Sequence, residues 1–107
     1  MYHRPTSAYL HDMDAQGYGA DISIDADAVT ITHSERAQKF GKMPAVVRVP
    51  LGDVRSVDFK AGNAIANGHL KVITDDTEGS QTRIVHFRRK DNDTFAAVRD
   101  AIVGALR

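Results

Sequence analysis

The spacing of apolar residues changes period once along this chain, and that change limits what the chain can fold into. Between residues 17 and 87 apolar side chains recur at every second position; from Phe95 onward they recur at helical spacing. Ile22 and Ile24 share one side, with Ser23 and Asp25 opposite, and Val29 and Ile31 alternate with Thr30 and Thr32. Alternation of this kind is how a strand with one wet face reads.

Short breaks separate the alternating runs. Asp25-Ala26-Asp27 is short enough for a tight hairpin, with Asp supplying side-chain bonds to the turn backbone. "AVVRVPL" (45–51) predicts a strand closed by Pro50, and "VRSVDFK" (54–60) another, entered through Leu51-Gly52-Asp53. "AGNAIANG" (61–68) reads either as a loop or as a short strand flanked by glycine. "HLKVIT" and "TRIVHFRR" are the last strands, joined by an acidic loop at 75–80. Connections this short favour antiparallel meanders over crossovers.

Past Asp91 the period becomes helical. Phe95, Val98, Ile102 and Leu106 form one stripe, which Val103 widens. Asp91 or Asp93 is placed to cap the first amides of this helix. One helix with one apolar face must bury that face, and an antiparallel sheet that curls offers it an open end. The expected fold is mainly β: a barrel or sandwich of about seven antiparallel strands, capped by one C-terminal helix. The expected organisation is an irregular segment over residues 1–16 and one domain over 17–107.

The segments "DADAVTI", "VPLGDVRSVDFK", "NGHLKVIT" and "RIVHFRRKDNDTFAAVRDAI", in this order, resemble a bacterial pleckstrin-homology-like family of unassigned function. Members of that family are often found beside a short C-terminal oligomerisation module called SHOCT. The resemblance covers roughly residues 18–106. It implies a pleckstrin-homology-like scaffold and an adaptor-like role, and it carries over no catalytic residue. The first hairpin departs from the family's usual Asp-Gly, having Asp25-Ala26-Asp27. Pleckstrin-homology domains that bind inositol phosphates do so mainly with basic residues around this hairpin, and two carboxylates there would repel phosphate. No specific phosphoinositide is expected as a ligand.

Composition excludes several chemistries. The 107 residues contain no cysteine, so neither a disulfide framework nor a thiolate nucleophile is available. No apolar run approaches the ~18 residues a membrane-spanning helix needs, and the first residues lack the apolar centre of a secretory signal. A cytoplasmic location is therefore expected. The formal net charge is zero, which argues against nucleic acid as a partner. The charges are segregated, however. Residues 1–35 hold six acids and one base, whereas residues 36–74 hold seven bases against Asp53 and Asp58. Arg48, Arg55, Lys60 and Lys71 are a candidate basic patch within the second group.

Nothing in the chain reads as catalytic machinery. No serine lies in a G-x-S-x-G context, "FGKMP" lacks the rest of a phosphate loop, and the acidic loop lacks calcium-ligand spacing. His11-Asp12-Met13-Asp14 places metal-capable donors together without the spacing of a site. His33, His69 and His86 fall on strands that could be neighbours. If Val85 and Phe87 face the core, His86 is an ordinary exposed residue. No metal, cofactor or catalytic residue is assigned.

One connection differs from the rest. "SERAQKFGKMPA" (34–45) sets Arg36, Lys39 and Lys42 around Phe40 and Met43, with Gly41 allowing a sharp turn. Either both apolar side chains fold back to cap the barrel, or they stay outside and meet a partner. Met is an adaptable contact for a protein, and interleaved cations suit anionic headgroups. The leading expectation is a non-enzymatic interaction or self-assembly module, binding another protein or a second copy of itself. Its surface would be the loop Arg36, Lys39, Phe40, Lys42 and Met43, an exposed strand edge, or both. The alternative is peripheral binding to an anionic membrane or polyanion through residues 36–60. A third reading is a small-ligand carrier or enzyme with a pocket near the strand histidines.

Overall fold

The computed structural model describes residues 13–76 and 79–106. Its strands are β1 (Met13–Gln16), β2 (Ala20–Ile24), β3 (Ala28–His33), β4 (Val46–Pro50), β5 (Val54–Lys60), β6 (Gly68–Asp76) and β7 (Gly79–Phe87). Its helices are α1 (Glu35–Phe40) and α2 (Asn92–Ala105), and single 3-10 turns occupy Leu51–Asp53 and Arg89–Asp91. β1 to β4 pair in chain order as one antiparallel sheet, and β5 to β7 as a second. The fold is thus mainly β, two antiparallel sheets with one C-terminal helix, and its layout is sandwich-like.

Alternation places the core. Ile22, Ile24, Val29 and Ile31 are buried from the first sheet, Leu70, Val72, Val85 and Phe87 from the second. α2 then adds Phe95, Val98 and Ile102, all without exposed surface. Phe87 lies between two rings, stacked on Phe95 with centroids 4.2 Å apart and on Phe59 at 5.6 Å. Burying each of these side chains stabilises the fold by roughly 1.5–3 kcal/mol, and each aromatic pair adds about 0.5–1.5 kcal/mol.

The first hairpin closes as its residues require. Asp25 Oδ1 accepts from the amides of Asp27 (2.7 Å) and Ala28 (2.9 Å). These two bonds hold the Asp25 carboxyl below its ordinary pKa, with Arg48 adding a smaller pull and desolvation opposing them. The sheets also meet at one corner, where the Tyr18 amide donates to the His86 carbonyl at 2.7 Å. Gly17 makes this approach feasible. A Cβ there would lie 2.5 Å from the His86 oxygen and 2.7 Å from that of Ala20.

Several sequence expectations need correction. Met13–Gln16 is an edge strand paired to β2, with Ala15 buried, so the sheet begins before residue 17. The connection at 34–45 contains a helix: Ser34 caps α1 by accepting from the Ala37 amide at 3.1 Å. The sharp turn falls on Lys42, at φ 56°, while Gly41 is right-handed at φ −94°. Of the two readings open for 61–68, the loop is the one found, over residues 61–67. Val103 is 37% exposed and does not widen the buried stripe, and Leu106 is only half-buried. Asp91 stands at the start of α2 without a side-chain capping bond. The neighbouring Asn92 instead reaches across to the 61–67 loop.

Candidate interaction surface

β7 is an edge strand along most of its length, and its pairing tells which backbone groups are free. The His86 carbonyl points away from β6, since it accepts from Tyr18. In a regular strand the amide and carbonyl of one residue share a side, and that side repeats every second residue. The β6–β7 register runs without a shift from His86 to Ser80. The backbone groups of Ile84 and Thr82 therefore also point outward. Beyond the Tyr18 bridge no backbone group among the described residues pairs with them. The chain diverges from β7 at Gly19, which has φ +85°, a conformation that favours glycine.

Beside this open edge lies a cleft of about 360 Å³. Its floor comes from Ala20 and Ile31, buried on the inner face of the first sheet. Tyr18 (60% exposed), Met43 (41%) and Ile84 (41%) stand around the rim, and Ala37 brings α1 to the far wall. Three large apolar side chains exposed around one concavity are more than the scattered apolar surface every soluble protein carries.

The cleft carries nitrogen groups and hydroxyls but no carboxylate among the described residues. His33, Arg83 and His86 line it. Arg83 is on the inward side of β7, in line with Val85, and is half-buried. Its guanidinium gives one bond, Nη2 to Gln81 Oε1 at 2.7 Å, while its Nε is buried with no partner among the described residues. A buried donor left unpaired costs about 1–3 kcal/mol. His33 is buried, and its Nδ1 donates to the Pro44 carbonyl at 2.8 Å. In the neutral ring that leaves Nε2 as the acceptor.

The loop singled out in the sequence is divided by the structure. Phe40 is 75% exposed at the end of α1, with the Arg36 guanidinium 5.9 Å from its ring centre. It does not cap the sandwich. Met43 joins the cleft instead, and Lys39 and Lys42 are exposed nearby in sequence. The supposed basic patch is not one patch. Arg48 sits on β4 of the first sheet, and Arg55 pairs with Asp75 at 3.6 Å. Lys60 and Lys71 do share the outer face of the second sheet, where Lys60 faces His69 and Lys71 faces Asp58 across strands.

His69 and His86 are cross-strand partners, their rings edge to face at 6.4 Å, whereas His33 lies on the other sheet. Partial burial, then the charge of Lys71, lowers the His69 pKa; His86 and Lys60 act the same way and Asp58 opposes them. No group of three or more metal-capable side chains assembles among the described residues. His11 and Asp12 lie outside them. No described helix is long and apolar enough to cross a membrane.

Comparisons with family models, characterised proteins and solved structures give no match for this chain. The surface must be read on its own chemistry. Tyr18, Arg83 and Ile84 were not among the residues expected to form it. The available signal was weak: Tyr18 stands between two glycines just before a strand.

Proposed function

We propose that the chain is a non-enzymatic protein-interaction module on a pleckstrin-homology-like scaffold. Two antiparallel sheets closed by a C-terminal helix support the scaffold reading. One observation carries the functional reading: a free strand edge runs beside an apolar cleft rimmed by exposed Tyr18, Met43 and Ile84. An edge with unpaired backbone groups is a template for another polypeptide. The partner is another protein or a second copy of this chain.

A photo-crosslinking residue in place of Tyr18 tests this, with the same residue at exposed Asp53 as control. Adducts formed from position 18 and not from position 53 support the module. Equal yields from both, or none from position 18, overturn it.

A second reading rests on Phe40, exposed at the end of α1 with the Arg36 guanidinium near its ring and Lys39 preceding it. It is peripheral attachment to an anionic bilayer. Co-sedimentation with phosphatidylcholine vesicles containing phosphatidylserine, lost in a Phe40→Ser, Lys39→Glu double variant at physiological salt, would support it. Failure of the native chain to sediment removes it.

A further inference from the structure

The cleft and the edge beside it specify more than a sticky surface. We infer that this site takes an extended segment of another polypeptide, added as a fourth strand to β7, with apolar side chains facing inward and a carboxylate set against Arg83. The inference rests on the interaction reading above and names the partner's chemistry.

Three observations lead there independently. First, the outward amides and carbonyls of Thr82 and Ile84 repeat at strand spacing and end at the Tyr18–His86 bridge. Only a backbone in extended conformation presents groups at the matching interval. Tyr18 already shows that an antiparallel neighbour fits against β7 at this point. Second, a strand placed there would turn alternate side chains toward Ala20 and Ile31, an apolar floor that wants apolar occupants. Third, no carboxylate lines the cleft, and Arg83 keeps a buried Nε without a partner among the described residues. Charge complementarity therefore selects an acidic group at the Arg83 end and disfavours a lysine there.

A small acid could meet Arg83, but it would leave the Thr82 and Ile84 backbone unpaired. A second copy pairing β7 to β7 about a two-fold axis centred on Arg83 would set the two Arg83 side chains opposite each other. A foreign acidic segment satisfies the free backbone, the apolar floor and the guanidinium together.

The probe is a blocked hexapeptide alternating valine and threonine with one central glutamate, compared with the same peptide carrying lysine in that place. Amide hydrogen exchange and chemical shifts of the full chain are followed during titration. Exchange at Thr82 and Ile84 should slow at saturation by at least about tenfold, with little change at Arg83 and Val85, whose amides face β6. The glutamate peptide should bind at least about tenfold more tightly than the lysine peptide, and Arg83→Gln should bring the two together. Because Arg83→Gln could disturb β7 itself, a control varies the peptide alone. Methylating its backbone nitrogens on the side facing β7 should abolish binding, and methylating those on the opposite side should not.

Binding that leaves Thr82 and Ile84 exchange unchanged overturns the inference, as does a preference for lysine. So does protection of those amides by self-association without peptide. If shifts centre on Phe40 instead, strand addition fails while the interaction reading stands. If position 18 also yields no cross-link, both fall.

Discussion

The side chain of Asn92 grips the backbone of Gly62 at both ends: Oδ1 accepts from the Gly62 amide at 2.8 Å, and Nδ2 donates to the Gly62 carbonyl at 3.0 Å. Gly62 is buried, so these are the bonds that satisfy it. Asn92→Ala should lower unfolding free energy by about 2 kcal/mol, because the buried amide loses its acceptor. Asn92→Asp keeps that acceptor but sets a carboxylate against a carbonyl, and should be destabilising as well. Urea midpoints measured at neutral pH check both.

The helix is held by its apolar face more than by its caps. Phe95→Ala removes a ring stacked on Phe87 at full burial and should cost about 3–5 kcal/mol. Ile102→Ala should cost about 2–5 kcal/mol on the same ground. Phe40→Ala, at an exposed position, should stay within about 0.5 kcal/mol. Thermal or urea denaturation of the three variants separates packing from surface, and a large loss on Phe40→Ala would contradict the placement of that ring outside the core.

Ala15 tests whether β1 belongs to the sheet. Its methyl is buried opposite Ile22, within the apolar core cluster. Ala15→Asp should destabilise by about 3 kcal/mol or more. An unchanged melting curve would return residues 13–16 to an undocked segment.

His69 gives the fold a pH dependence of known sign. Its folded pKa lies below the ordinary value of 6.5, because partial burial and then Lys71 disfavour the cation. Between the two values the unfolded chain binds more protons, so stability rises with pH there. The loss begins as pH falls below about 6.5, grows toward the folded pKa and then levels off. An NMR titration should place the His69 midpoint below that of a short peptide, and Lys71→Gln should move it upward. A His69→Gln variant should show a flatter stability profile across the same range.

The strands with one wet face were legible because alternation depends only on neighbouring residues. Ile22, Ile24, Val29 and Ile31 all fall where the pattern put them. β1 escaped because it is only four residues long and its inward side offers just two apolar residues, Met13 and Ala15, too few to show an alternation. α1 escaped for the converse reason. None of its residues is buried, so it has no apolar stripe, and Ser34 ahead of Glu35 was its sole signal. Gly41 drew attention as a turn former, yet the left-handed residue is Lys42. The cleft was illegible in any window, since it joins residues near 18, 31–43 and 82–86. No local pattern encodes the approach of β7 to the first sheet. The separation of Phe40 from Met43 likewise follows from α1 ending between them.

Synthesis from the N-terminus makes both sheets before the helix that covers them. Until Phe95, Val98 and Ile102 have left the ribosome, Phe87 lacks its closest stacking partner and the inner faces of the sheets stay partly wet. At ~5–20 residues per second the fifteen residues that follow Phe87, through Ile102, take roughly 0.75–3 s. Hairpins such as β2–β3 can form in that interval, but the sandwich cannot close. Cooperative folding is thereby deferred to the last turns of α2, and a ribosome stalled before them would display a nascent chain with an exposed apolar interior, open to chaperone capture.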